Sequence, residues 1–131
     1  MFANLISGDC PLTLGMESGV IQDNQISASS FDDKEHMPQY GRLRNHSYWR
    51  ANENDLSPWF QVSFDQSMII SAVAIQGVVQ VAPEDGVEWV EEFRLVYSDG
   101  GSSWQSYSDL LNGNDVSDHY DDILRVFVGC V

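Results

Sequence analysis

The chain has 131 residues, of which 43% are hydrophobic, 11% aromatic and 20% charged, a balance that excludes a disordered chain and allows one buried core. Twenty acidic residues against six lysines and arginines give a net charge of −14, which opposes binding to nucleic acid and disfavours anionic membranes. No apolar run is as long as a membrane span, and the start is too short for a signal peptide, so a secreted form is expected to be a mature, excised or incomplete domain.

Apolar and polar residues alternate with a period of two along much of the chain, which predicts strands. Residues 60–64 and 93–97 alternate in this way, 68–75 form a continuous apolar run typical of a central strand, and 124–128 predict a last strand. Turn signals separate these stretches at 65–67, 83–86, 98–101 and 112–114. With no helix of three turns, no repeat and no linker, the pattern predicts one all-β domain over residues 1–131, an antiparallel sandwich or barrel.

The chain has two cysteines, Cys10 and Cys130, which flank the patterned region. If they pair, the disulfide joins the two ends of the domain and stabilises it by about 4–5 kcal/mol in the chain-entropy model. Such a bond persists only outside the reducing cytosol, so pairing would place the protein outside the cell. The alternative is two unrelated buried thiols.

Short motifs lie in a fixed order along nearly the whole chain. They are Cys10, 14–19 (LGMESG), 21–23 (IQD), 25–30 (QISASS), 41–43 (GRL), Trp49, 58–62 (PWFQV), 75–77 (IQG), 97–100 (YSDG), Trp104, 113–114 (GN) and 124–130 (LR to GC). In this order they resemble the discoidin domain, also called the coagulation factor 5/8 type C domain. The resemblance implies a β-sandwich or distorted jelly-roll barrel with a core over 10–130, a Cys10–Cys130 disulfide and a non-catalytic extracellular recognition function.

Most landmark residues are predicted to serve the fold. Three tryptophans are expected in or near the core, four glycines at turns with positive φ, and two arginines on carboxylates or loop carbonyls. These residues are Trp49, Trp59, Trp104, Gly15, Gly77, Gly100, Gly113, Arg42 and Arg125. Asn45 begins the sequon Asn45-His46-Ser47 and is a candidate glycosylation site.

The resemblance places the ligand in two loops at one end of the barrel, at residues 31–40 and 78–87. The predicted ligand-binding residues, which should converge in space, are Phe31, Asp32, Met37, Tyr40, Val78, Val79, Val81 and Glu88. Acids outnumber cations in both loops, so phosphatidylserine is disfavoured and an extracellular protein or glycan is the expected partner. Peripheral phospholipid binding remains the weakest alternative.

A second alternative is a structural matrix protein whose acidic loops bind calcium or mineral surfaces. No dedicated metal site and no cofactor is predicted, but two groups of acidic residues are candidates for weak calcium binding. They are Asp32, Asp33 and Glu35, and Asp118, Asp121 and Asp122. His36, His46 and His119 lie in no catalytic motif, so the protein is not expected to be an enzyme.

The chain departs from the family pattern between Gly113-Asn114 and Leu124-Arg125, where relatives carry a longer segment with a further strand. The missing strand predicts an open sheet edge, because unpaired backbone donors and acceptors would line it. Either neighbouring loops or a partner chain cover that edge, or the sequence is a shortened variant of low stability. A homodimer through the open edge is predicted as one outcome.

Overall fold

The computed structural model describes residues 14–67, 70, 73, 75–79, 87–107 and 111–112. The described residues up to Val73 belong to one compact unit, here the N-terminal unit, and those from Ile75 onward belong to a second, the C-terminal unit. Several predictions lie outside the described residues. They concern Cys10, Cys130, Val81, Gly113, Asp118, His119, Asp121, Asp122, Arg125 and the last strand at 124–128.

The N-terminal unit is built on one antiparallel strand pair. A 3₁₀ turn, Asp23–Gln25, leads into β1, Ile26–Ala28, which pairs with β2, Phe60–Val62. A second 3₁₀ turn, Pro38–Tyr40, lies in the long connection between them. Ile26 is opposite Val62 and Ala28 is opposite Phe60, so one apolar row runs across both strands, as the period-two pattern predicts.

The core of this unit forms around Met16, Ile21 and Ile26, which are buried together. Four half-buried residues pack against them: Leu14, Phe60, Val62 and Phe64. The turn before β1 needs a glycine, since Gly15 has φ +105° and a Cβ there would lie 2.5 Å from Cβ of Val20. The prediction of a turn glycine with positive φ is confirmed at Gly15.

Arg42 ties this core to the polar surface. Its Nη1 donates to the carbonyl of Met16 at 3.0 Å, and its Nη2 donates to Oδ1 of Asp23 at 2.6 Å. The predicted role of Arg42 on a carboxylate and a loop carbonyl is therefore confirmed.

The C-terminal unit consists of short antiparallel pairs. The hairpin of β3, Val78–Val79, and β4, Val87–Glu88, comes first. The remaining strands are β5 (Glu92–Phe93), β6 (Val96–Tyr97), β7 (Gln105–Ser106) and β8 (Leu111–Asn112). β6 pairs with β7 inside the pair of β5 with β8, so residues 92–112 form one nested hairpin.

The nested hairpin is irregular in its middle. Phe93 is opposite Leu111, yet the amide of Tyr107 donates to the carbonyl of Leu95, so the register of the inner pair is shifted by two residues from that of the outer pair. At the tip, Gly100 and Gly101 both have positive φ, and the amide of Gly101 donates to Oγ of Ser98 at 2.9 Å. The predicted turn with a left-handed glycine at Gly100 is confirmed.

All strand pairs in the described residues are antiparallel and the helical residues there are single 3₁₀ turns, so the all-β class is confirmed. The closed sandwich or barrel stays a prediction, as does the single domain. The expected strand over 93–97 is divided between β5 and β6, and Ile70, Val73 and Ile75 of the expected 68–75 strand lie outside strands.

Three further expectations were wrong in the described residues. Gly77 does not have positive φ. Trp59 and Trp104 are each 49% exposed, whereas Trp49 is half-buried.

Within the described part of the chain, no helix has the length and apolarity that crossing a bilayer requires.

Candidate ligand-binding site

Residues 31–40, here the ligand loop, are attached to the segment 47–50 by backbone hydrogen bonds. The amide of Asp32 donates to the carbonyl of Arg50 at 3.0 Å, and the amide of Arg50 donates to the carbonyl of His36 at 3.4 Å. Oγ of Ser47 donates to the carbonyl of Glu35. The loop therefore has a defined shape although it contains no strand.

Asp32, a predicted ligand residue, forms an ion pair within the loop. Nε and Nη2 of Arg50 both donate to Oδ2 of Asp32, at 3.0 and 2.6 Å. Each side chain is about one-third exposed, so the pair is only partly screened by water. Asp32 thus links the start of the ligand loop to Arg50 in segment 47–50, and its charge is balanced by this cation of the same unit.

Asp33 organises the next turn of the loop. Its Oδ1 accepts the amide of Glu35 at 2.8 Å and that of His36 at 3.1 Å, and Nδ1 of His36 lies 2.8 Å from the same oxygen. The hydrogen bond from the Glu35 amide, followed by the contacts with His36, lowers the pKa of Asp33 below its ordinary value. The imidazole of His36 packs against the ring of Tyr48 with centroids 4.5 Å apart and planes tilted by 54°, which links the turn to segment 47–50.

Asp32, Asp33 and His36 bring one donor atom each within 4.8 Å of one another. The structure therefore groups His36, rather than the expected Glu35, with the two aspartates. Arg50 and His36 already bond the two carboxylates, and a nitrogen donor suits calcium poorly because calcium prefers oxygen ligands. We assign this group to the internal support of the loop and not to a metal.

A second loop, residues 52–58, is attached beside the start of the ligand loop. Oδ2 of Asp55 accepts hydrogen bonds from Oγ of Ser29 and from Oγ of Ser30, both at 2.6 Å. Its Oδ1 accepts a hydrogen bond from the amide of Ser57 at 3.1 Å. These hydrogen bonds, the one from Ser29 first, lower the pKa of Asp55. Loop 52–58 is thus held next to Phe31, the residue that follows Ser30.

The position of Ser30 is fixed from the inner side as well. Nε1 of Trp49 donates to its carbonyl at 2.9 Å, and the Trp49 ring packs on Phe60 of β2 with centroids 5.2 Å apart. The buried strand pair therefore positions both loops through one aromatic contact. Trp49 acts in packing, as the sequence predicted.

The two loops present apolar side chains to solvent. Phe31 is 46% exposed and Leu56 is 94% exposed. Leu56 was not among the predicted ligand residues; its signal in the sequence is a single large apolar residue between Asp55 and Ser57 in a polar turn. Met37 and Tyr40, which were predicted, are half-buried at the two ends of the 3₁₀ turn Pro38–Tyr40.

The predicted residues of the second family loop lie in the C-terminal unit. Val78 is opposite Glu88, and Val79 is opposite Val87, so both strands that flank residues 80–86 pair as a hairpin. Val81 lies outside the described residues. The convergence of these residues with the ligand loop stays a prediction.

The charge of the chain is distributed unevenly. Residues 31–58 contain five acids and four of the six lysines and arginines, whereas the other residues contain fifteen acids and two cations. Three of those arginines form ion pairs: Arg42 with Asp23, Arg44 with Glu17 and Arg50 with Asp32. Residues 31–58 are therefore nearly balanced in charge, although the ligand loop and loop 52–58 themselves contain five acids and one lysine.

A protein-family model of the F5/8 type C domain matches residues 25–125. The chain is 32% identical over 106 residues to "EGF-like repeat and discoidin I-like domain-containing protein 3" of Mus musculus, covering 75% of this chain and 22% of that protein. It is 35% identical over 100 residues to neuropilin-2 of Mus musculus, covering 75% of this chain and 11% of that protein. It is also 31% identical over 111 residues to the venom prothrombin activator pseutarin-C non-catalytic subunit of Pseudonaja textilis, covering 79% of this chain and 7% of that protein. The chain belongs to the F5/8 type C, or discoidin, family of extracellular binding domains.

Proposed function

We propose that the protein is a secreted or cell-surface recognition module that binds an extracellular protein or glycan through the ligand loop and loop 52–58. Phe31 and Leu56 are the apolar contacts, and Met37 and Tyr40 form the adjoining surface. Val78, Val79, Val81 and Glu88 complete the site if the second family loop lies beside the first. Domains of this family are generally non-catalytic, and we propose the same here.

One observation carries the proposal: exposed apolar side chains stand on loops that hydrogen bonds hold in place. Leu56 is 94% exposed, while its neighbour Asp55 is bonded to Ser29, Ser30 and the amide of Ser57. A loop that is ordered before binding loses less conformational entropy when a ligand binds. Exposed apolar groups of this kind gain contact area with a partner at little ordering cost.

The electrostatics favour a neutral or cationic ligand over an anionic membrane. Arg42, Arg44 and Arg50 each bond a carboxylate of this unit, so their charges are balanced locally. Burying the neighbouring acids against anionic lipid would oppose binding.

The proposal is tested by screening the purified domain against a glycan array, matrix proteins and vesicles that contain phosphatidylserine, each with and without calcium. For the protein or glycan found, the Phe31→Ala and Leu56→Ala variants are expected to bind about tenfold more weakly, a change of about 1.4 kcal/mol. Val20→Ala is the matched control, since Val20 is an apolar residue of the same unit that is 74% exposed but lies outside both loops.

Two results would contradict the proposal. Strong, salt-sensitive binding to the vesicles without calcium would favour the phospholipid alternative. Binding of calcium or of a mineral surface that is unaffected by Phe31→Ala and Leu56→Ala would favour the structural matrix alternative.

A further inference from the structure

The turn that follows the ligand loop carries an exposed asparagine in a glycosylation sequon. Asn45-His46-Ser47 is the only sequon of the 131 residues, and Asn45 and His46 are both exposed. Arg44, directly before it, has φ +51°, in the left-handed region that is typical of turns. Asn45 and His46 therefore lie on a surface turn, whereas Ser47 is half-buried and donates to the carbonyl of Glu35.

The side chain of Asn45 connects this turn to the ligand loop. Its Nδ2 donates to the carbonyl of Tyr40 at 3.3 Å, and its Oδ1 accepts the amide of His46 at 2.9 Å. Tyr40 ends the 3₁₀ turn of the ligand loop. A group attached to Nδ2 would therefore stand at the Tyr40 end of that loop.

We propose that Asn45 carries an N-linked glycan, and that in the glycosylated protein this glycan covers the Met37–Tyr40 part of the proposed binding surface and confines the ligand to Phe31 and Leu56. In the transfer step Nδ2 of Asn45 bonds to C1 of the first sugar of a lipid-linked oligosaccharide while the C1–O bond to the lipid pyrophosphate breaks. The lipid pyrophosphate leaves, and the proton lost from Nδ2 passes to a base of the transferring enzyme. The extracellular family of the chain implies the secretory route on which this reaction occurs. The direction of ligand approach rests on the proposed binding site, whereas the attachment of the glycan rests only on the proposed extracellular location.

The attachment is tested by expressing the full chain behind a cleavable secretion signal in animal cells. Intact mass before and after peptide N-glycosidase treatment in ¹⁸O water should show a glycan on wild type and conversion of Asn45 to labelled aspartate. Ser47→Thr keeps the sequon and should retain the glycan, while Ser47→Ala and Asn45→Gln should lose it. Wild-type protein without a glycan, whether secreted or taken from the secretory pathway inside the cell, would overturn the inference.

The position of the glycan is tested without any ligand, by hydroxyl-radical footprinting of glycosylated and enzymatically deglycosylated protein. Oxidation of Met37 and Tyr40 is expected to rise severalfold after deglycosylation. Oxidation of Phe31 and Leu56, and of Trp104 as a control in the C-terminal unit, should not change. Equal oxidation of Met37 and Tyr40 in both forms would overturn the shielding but not the proposed ligand site.

Discussion

The carboxylate of Asp55 joins two loops that are distant in sequence. It accepts hydrogen bonds from Ser29 and Ser30 before the ligand loop and from the amide of Ser57 in its own loop. An ionised carboxylate can accept all three, whereas a protonated one or an amide cannot. The contact therefore depends on the charge of one residue.

Asp55→Asn is expected to lower the unfolding temperature at neutral pH. The folded pKa of Asp55 lies below its unfolded value of about 3.9, so its stabilising contribution is complete above that value and is lost as the pH falls through the folded pKa. The difference between wild type and variant should thus shrink in acid, as thermal unfolding monitored by circular dichroism can show. Glu53→Gln, an exposed neighbour, is the control; a difference independent of pH would contradict the assignment.

At the scale of elements, the second 3₁₀ turn packs closely on β2. A Cβ at Gly41 would lie 2.7 Å from Cε2 of Phe60 and 3.2 Å from the carbonyl of Pro38. Gly41 has an ordinary φ of −68°, so space rather than backbone conformation requires glycine here. This contact sets the distance between the end of the ligand loop and the strand beneath it.

Gly41→Ala is expected to destabilise the protein by about 1–3 kcal/mol, because the added methyl group overpacks against the Phe60 ring. Urea unfolding measures the change. Phe60→Leu removes the ring edge, so the double variant should lose less stability than the two single variants together, with a coupling of about 0.5 kcal/mol or more. Strict additivity would mean that the ring is not the obstacle.

Local patterns in the sequence predicted the positions of strands and turns better than they predicted which side chains are buried. Alternation at Phe60 and Val62 identified β2, and the turn chemistry identified Gly100, because these signals depend on neighbouring residues. Gly15 was predicted from its place among the family motifs. The exposure of Trp59 depends on what packs over it from distant parts of the chain, which no local pattern contains.

The same limit applies to the candidate site. Phe31 could be predicted as an exposed contact from its place in a family loop. Leu56 could not, since its proximity to the ligand loop arises from the bonds between Asp55 and Ser30, 25 positions apart in sequence. The ion pair of Asp32 with Arg50, 18 positions apart, was missed for the same reason.

For the whole molecule, pairing of Cys10 with Cys130 stays a prediction. Alkylation of folded protein without reductant, followed by intact-mass analysis, should show no modified cysteine. Reduction should then lower the free energy of unfolding by about 2–5 kcal/mol. Two modified cysteines in folded protein would exclude the bond and weaken the extracellular assignment.

The predicted open sheet edge has a separate test. Light scattering over a concentration series should show a homodimer that dissociates on dilution if a second copy covers the edge. A monomer at all concentrations, with ordinary thermal stability, would mean that the chain closes the edge itself.

The β6–β7 hairpin and the β1–β2 pair differ in how far apart in sequence their paired strands lie. β6 and β7 close only residues 98–104 between them, whereas β1 and β2 must close 29–59. The longer closure costs about 1.3 kcal/mol more in chain entropy, so we expect the hairpin to form within microseconds and the β1–β2 pair to form later. The ligand loop lies within that longer stretch. The candidate binding surface is therefore expected to form after the hairpin during folding. Until then, the apolar side chains Phe60 and Val62 of the unpaired β2 would be accessible to other chains.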